Sequence, residues 1–412
     1  MSTRRVVVTG MGAVTPLGSS VSAFWDGLVS GRSGIRTITS FPTDKFDVHF
    51  GGECPDFDPA KLIDHRQLKR MDRFTQLAFV AARQAVEDSG FIPAGVNPVR
   101  RGVIIGVGIG GLLEIEEQHK RLINKGPDRV SPFTIPKLMP NAASGHISIE
   151  FNCQGISAAV GTACASAGNA MSDAFLAIRA NVADLVVTGG TEAALTPLGL
   201  AAFAAMKALS TRNNDPAAAS RPFDRDRDGF VLSEGSGILI FEEYEHAKAR
   251  NAPIYAEVLG VGVTSDAGDM VQPDPEGSGG GRAMALAMKC AGINPEDVDY
   301  INAHGTSTPL GDVAETRAIK KVFGPHARKM MVSSTKSAHG HTLGASAGIE
   351  AIACIQAMRH NTAPPTINLV KPDAECDLDY VPLAARDARL RITMNNSFGF
   401  GGHNSCTVFR KL

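Results

Sequence analysis

The chain has 412 residues, 43% of them hydrophobic and 20% charged, with 43 glycines and a formal net charge of −1. That length buries the core of two or three domains, and the balanced charge gives no global electrostatic case for nucleic acid or a membrane surface. No apolar run approaches the roughly 18 residues of a membrane helix. The first strand is expected from about Arg4, which leaves no room for a signal peptide. Seven cysteines, scattered and never in CxxC spacing, suit a reducing cytoplasm rather than a disulfide framework or a zinc site.

In chain order, Arg4-Arg-Val-Val-Val-Thr opens as a strand. Met71 to Ser89 carries apolar residues at Phe74, Leu77, Ala78, Ala81, Ala82, Ala85 and Val86, which is one helical face, and Gly90 caps it. Arg101 to Gly106 reads as a short buried strand. The proline-rich stretch 126–141 fits neither a regular helix nor a central strand and is expected as an ordered excursion. Gly155 to Val160 is strand-like, and a small-residue helix follows to about Asn181. Gly277 to Gly281 looks flexible and leads into a helix over Arg282 to Ala291. Strands alternating with helices predict an α/β fold with mostly parallel sheets covered by helices.

Residues 165–183 and 345–363 share eight of nineteen positions at an offset of 180, including both Ala-Ser-Ala-Gly openings. Flanking strands repeat as well: Asp184-Leu-Val-Val and Gly237-Ile-Leu-Ile after the first copy, Arg391-Ile-Thr-Met and Asn404-Ser-Cys-Thr after the second. Matched order of strands and helices predicts a duplicated βα unit, divided near Arg250 into halves 1–250 and 251–412.

Cys164 lies at the junction between the first repeat's strand and helix. Unpaired N–H groups and the helix dipole there favour thiolate, a nucleophile toward thioesters. His341 stands four residues before the second Ala-Ser-Ala-Gly and Cys164 one residue before the first. A pseudo-twofold brings those two helix starts together, and a helix N-terminus keeps His341 neutral. His304 ends another strand, and Lys336 and His339 precede His341. His339-Gly-His341 has no acidic or thiol ligand at metal spacing, so no metal is expected.

Two other motifs compete. Gly106-Val-Gly108-Ile-Gly-Gly111 satisfies the dinucleotide pattern, but no acidic strand end follows at the right distance. Gly344-Ala-Ser346-Ala-Gly348 matches a hydrolase elbow, with Asp379 and His403 downstream, but the nearest strand ends about ten residues earlier, which places Ser346 inside a helix.

Taken with VVVTGMGAVTPLG, SRPFDRDRDGFVL (220–232), NAHGTSTPLGD (302–312), SSTKSAHGH (333–341) and NNSFGFGGHN (395–404), the chain resembles the elongating β-ketoacyl-[acyl-carrier-protein] synthases, most closely the synthase II group, from end to end. The resemblance implies a thiolase-like, duplicated α-β-α-β-α core, a homodimer, an acyl carrier protein as partner and no cofactor. It implies that Cys164 takes the acyl chain, that His304 and His341 hydrogen-bond the malonyl thioester oxygen, and that Lys336 with Glu350 orders the site. The N–H groups of Cys164 and Phe400 would form the oxyanion hole, with Phe400 also a gate. Ile109, Phe203, Phe230 and Phe398 would line the acyl site, and Thr306 and Thr308 would contact pantetheine.

Arg66, Lys69, Arg70, Arg129 and Lys207 match a carrier-docking patch. Residues 61–73 hold five Lys/Arg against two Asp, which also attracts an acidic partner. The chain departs from the family pattern at Asp128, Ala165-Ser-Ala-Gly-Asn, Val271, His339 and Thr342, which touches acyl preference and carrier choice more than chemistry. A ketosynthase of a dissociated polyketide or polyene pathway, or a non-catalytic acyl-binding scaffold, stay open as alternatives.

Overall fold

The computed structural model describes residues 4–91 and 97–412. Ten strands form one hydrogen-bonded sheet. The first half gives β1 (Val6–Val14), β2 (Arg101–Gly106), β3 (Ser157–Val160), β4 (Leu185–Glu192) and β5 (Gly235–Glu243). The second gives β6 (Ala256–Ser265), β7 (Tyr300–Asn302), β8 (Met331–Ser333), β9 (Ile392–Gly399) and β10 (His403–Arg410). Their order is β8-β7-β9-β10-β6-β1-β5-β4-β2-β3, so both halves repeat one sequence outward from the centre. There β1 and β6 pair antiparallel, with Val7 opposite Glu257.

Only four of the nine neighbouring pairs are parallel, which corrects the expectation of mostly parallel sheets. Parallel pairs need a crossover helix. β9 and β10 are joined by the short turn Phe400–Gly402 and can only fold back on each other.

Five helices matter for the site: α1 (Arg73–Asp88), α2 (Ser166–Arg179), α3 (Ser278–Ala291), α4 (Pro309–Phe323) and α5 (Ser346–His360). α2 and α5 start 180 residues apart, as the repeat predicts. Every residue of α5 from Ser346 to Met358 is buried. A helix with no polar face belongs inside a protein. α2 and α5 touch one another, and each packs on strands of both halves, while α1 lies outside β1 and β5 and α3 outside β6 and β10. The result is a five-layered α-β-α-β-α stack.

Small residues make the middle layer possible. A Cβ on Gly168 of α2 would collide with Ser405 on β10, and one on Gly348 of α5 would collide with the Gly237 carbonyl on β5 and sit 2.9 Å from the Gly190 nitrogen. Each Ala-Ser-Ala-Gly glycine thus presses on the corresponding strand of the opposite half. The Gly277–Gly281 stretch is likewise no flexible lead. α3 begins at Ser278 and buries Gly279, Gly280 and Gly281, because a Cβ at Gly280 would meet the Phe398 ring at 2.7 Å and one at Gly279 would meet Asp266.

Among the described residues no helix is long and apolar enough to cross a membrane. Gly348→Ala should cost about 1–3 kcal/mol through overpacking against backbone that cannot rotate away, read as a lower urea midpoint.

Candidate active site

Cys164 sits on a turn rather than on the helix itself. Ala163 before it is left-handed (φ 49°), and Leu343, 180 residues on, is left-handed too (φ 48°). Both elbows keep an unusual backbone that non-glycine residues adopt only when their surroundings enforce it. The Ser166 hydroxyl accepts from the Thr162 N–H at 2.9 Å and fixes the first elbow.

The second elbow carries His341 to the thiol. His341 Nε2 lies 3.0 Å from Cys164 Sγ, and its Nδ1 is 3.0 Å from the Ser346 hydroxyl. His304 approaches at right angles, ring centroid 5.4 Å from that of His341. Its main chain is gripped from two sides. Glu315 accepts from the N–H groups of His304 (2.9 Å) and Gly305 (2.8 Å), and Lys336 Nζ donates to the His304 carbonyl at 2.6 Å. Lys336 is also ion-paired with buried Glu350. Among the described residues no acceptor holds a proton on His304 Nδ1, which favours the Nε2–H tautomer.

Burial dominates the electrostatics. It holds His304 and His341 well below the usual imidazole range, reinforced by the Lys336 ammonium, so both rings are neutral donors near pH 7. Burial also pushes the Cys164 thiol up to about 12. Lys336 and the N–H groups of Phe400 and Cys164 itself pull the other way without overcoming it. The expectation of a resting thiolate is therefore corrected. The helix-end field is real, but Cys164 is only 7% exposed and desolvation outweighs it.

These residues open onto one cavity of about 710 Å³. Ile109, Phe203, Phe230, Thr306, Thr308, Phe398 and Phe400 all line it with Cys164, His304 and His341. Phe230 stands edge-on to His341, with centroids 5.3 Å apart, and against Phe203 at 5.4 Å. The Thr306 and Thr308 hydroxyls touch at 3.1 Å. Gly399 lets the Phe400 turn approach the thiol elbow, since a Cβ there would lie 3.0 Å from the Cys164 nitrogen.

Arg66, Lys69, Arg70, Arg129 and Lys207 are all exposed. Arg70 covers the Phe133 ring and so joins the first patch to the excursion carrying Arg129, whereas Lys207 stands on the cavity rim. Two residues counted in the 61–73 charge balance are not available to a partner. Arg73 pairs with buried Glu234, and Asp72 is buried and accepts from the Glu114 N–H.

Ser346 is the first residue of α5 and the partner of His341, not an interior helix residue as the spacing predicted. Glu192 went unread: a buried carboxylate ending β4, whose only signal was an acid closing an apolar strand. It explains the glycine motif. The N–H groups of Gly108 (2.9 Å), Ile109 (3.2 Å) and Gly110 (3.2 Å) bind Glu192, so the loop that resembled a pyrophosphate cradle already holds an internal carboxyl group.

With this geometry in hand, comparison with known proteins is decisive. Residues 3–247 match the family described as Beta-ketoacyl synthase, N-terminal domain, and residues 255–370 match its C-terminal domain. The chain belongs to the β-ketoacyl synthase family. It is 51% identical to a 3-oxoacyl-[acyl-carrier-protein] synthase 2 of Synechocystis sp. across 99% of the chain and 98% of that protein. A protein of the same description from Coxiella burnetii is 50% identical over the full length of both. Among solved structures, a type II polyketide ketosynthase in complex with its acyl-carrier protein is 34% identical, with a TM-score of 0.93 and complete coverage of both chains. The thiolase-like ketosynthase fold is therefore that of this chain as well.

For this β-ketoacyl synthase, alkylation of Cys164 by iodoacetamide should rise about tenfold per pH unit from pH 7 to 9 without levelling, as a thiol titrating above that window requires. Peptide mass mapping against pH checks it. A plateau below pH 8 would restore the preformed thiolate.

Proposed function

We propose that the chain is a 3-oxoacyl-[acyl-carrier-protein] synthase of fatty-acid elongation, condensing an acyl group with malonyl-carrier protein. The observation that carries this reading is the 3.0 Å contact between Cys164 Sγ and His341 Nε2, beside His304, on the wall of one apolar-lined cavity. Identity near 50% to curated synthase 2 proteins, against 34% to the polyketide ketosynthase, favours the fatty-acid over the polyketide role.

In the first half-reaction Cys164 Sγ attacks the acyl-carrier thioester. The C–S bond to the carrier breaks, and the carrier thiol leaves with the proton that Cys164 gives up. Developing charge on the acyl oxygen meets the N–H groups of Cys164 and Phe400. In the second, malonyl-carrier loses carbon dioxide. The electron pair of the broken C–C bond becomes an enolate, whose oxygen accepts from neutral His304 and His341. That carbon attacks the acyl-Cys carbonyl, the C–S bond breaks, and Cys164 regains one proton per turnover. An imidazolium at either position would be costly beside Lys336, which supports neutral donors over acid catalysis. Lys336, tied to Glu350 and the His304 carbonyl, positions rather than reacts.

The carrier, acidic by this argument, would dock on Arg66, Lys69, Arg70, Arg129 and Lys207. A homodimer fits the open sheet edge. Among the described residues β3 has no strand beyond it, and Ile149 and Leu176, on helices packed beside it, are 79% and 53% exposed. Seven free cysteines fit the cytoplasm.

Incubation with octanoyl carrier protein should leave an octanoyl adduct on Cys164 by intact mass and peptide mapping. A folded chain with no adduct would favour the scaffold reading. His304→Ala and His341→Ala should each cut malonyl-carrier decarboxylation by on the order of 100–1,000-fold while the adduct still forms. Equal loss of both half-reactions would make the imidazoles structural.

A further inference from the structure

Glu192 has no cationic partner among the described residues, yet it is fully buried. A carboxylate in that state stays only where several N–H groups replace water. Three come from the loop Gly108–Gly110, whose middle residue, Ile109, lines the acyl cavity. The fourth comes from Gly344 at 3.3 Å, three residues after His341. The two glycines meet over the carboxylate. A Cβ on Gly108 would lie 2.5 Å from Glu192 Oε2, and one on Gly344 would lie 2.8 Å from the same oxygen.

We propose that Glu192 is a positioning residue that sets acyl-chain selectivity, by clamping the Ile109 wall of the cavity to the elbow that carries His341. The inference rests on the condensing-enzyme reading. Four N–H donors on one carboxylate define the loop more tightly than packing does, because each donor left unpaired in a dry site carries its full desolvation cost. The wall beside the thiol then has one shape, and acyl chains are sorted by whether they fit it. Glu192→Gln keeps the volume but turns one acceptor into an NH2 donor facing N–H groups. The clamp loosens on that side, and the Ile109 wall yields to longer chains.

The test compares kcat/KM for dodecanoyl- and hexanoyl-carrier protein in the parent, Glu192→Gln, Ile109→Ala and the double variant, with thermal unfolding alongside. The dodecanoyl-to-hexanoyl ratio should rise at least about threefold in Glu192→Gln. It should change no further when Glu192→Gln is added to Ile109→Ala, since the clamp then has no wall to place. Glu192→Asp keeps the charge but withdraws the oxygens by one methylene. It gives the same comparison should the amide variant be recovered unfolded, and it should shift the ratio in the same direction. A uniform fall for all carriers at constant ratio, or a shift fully additive with Ile109→Ala, would overturn the proposal and leave Glu192 a packing residue. A parent chain that forms no acyl-Cys164 with either carrier would instead overturn the condensing-enzyme reading, and this inference with it.

Discussion

The packing of α2 against α5 is the constraint from which the site follows. Both helices are enclosed by strands of the two halves, and their approach is set by Gly168 against Ser405 and Gly348 against Gly237. A side chain at either glycine would wedge the halves apart. Since Cys164 and His341 sit on the elbows that open these two helices, any such displacement would stretch the 3.0 Å contact between them. Active-site geometry here is a by-product of core packing, which is rigid in the way close-packed solids are.

Enclosure also decides the protonation states. Two imidazoles, a thiol and three carboxylates (Glu192, Glu315, Glu350) lie in the region of the buried Lys336 ammonium. Desolvation is the largest influence on each of the six, and it pushes every one toward its neutral form. Such a cavity stabilises charge poorly except where N–H groups converge, as they do on Glu192 and Glu315. That selectivity is what a reaction passing through transient oxyanions needs from its surroundings.

Much of the fold was legible because a repeat of eight identities in nineteen residues marks two helices that must occupy equivalent places. The meeting of Cys164 with His341 followed from that symmetry and from no single motif. The thiol's protonation did not, since helix-end effects are local while desolvation depends on the whole enclosure. The buried glycines of α3 were misread for a related reason: Gly279 and Gly280 look flexible until Asp266 and Phe398 are known to press on them. Glu192 was invisible because its partners are backbone N–H groups, which every sequence contains.

The duplication is broken at two pairs of positions that meet across the halves, and the break divides labour within the molecule. Counting by the 180-residue repeat, the counterpart of Cys164 is Gly344; the residue ending β4 is Glu192, and the residue ending β9 is Gly399. Where the Cys164 elbow meets the end of β9, the elbow bears the side chain and the strand end is bare. Where the Gly344 elbow meets the end of β4, the strand end bears it and the elbow is bare. Each arrangement excludes the other locally, since a side chain at Gly344 would strike Gly108 and Glu192, and one at Gly399 would strike the Cys164 turn. Two elbows of the same backbone shape hold only one thiol when the other elbow packs on a carboxylate. Placing a second thiol at position 344 would therefore require Glu192 and the Gly108 turn to change in the same step, so the packing admits one elbow thiol per two-fold.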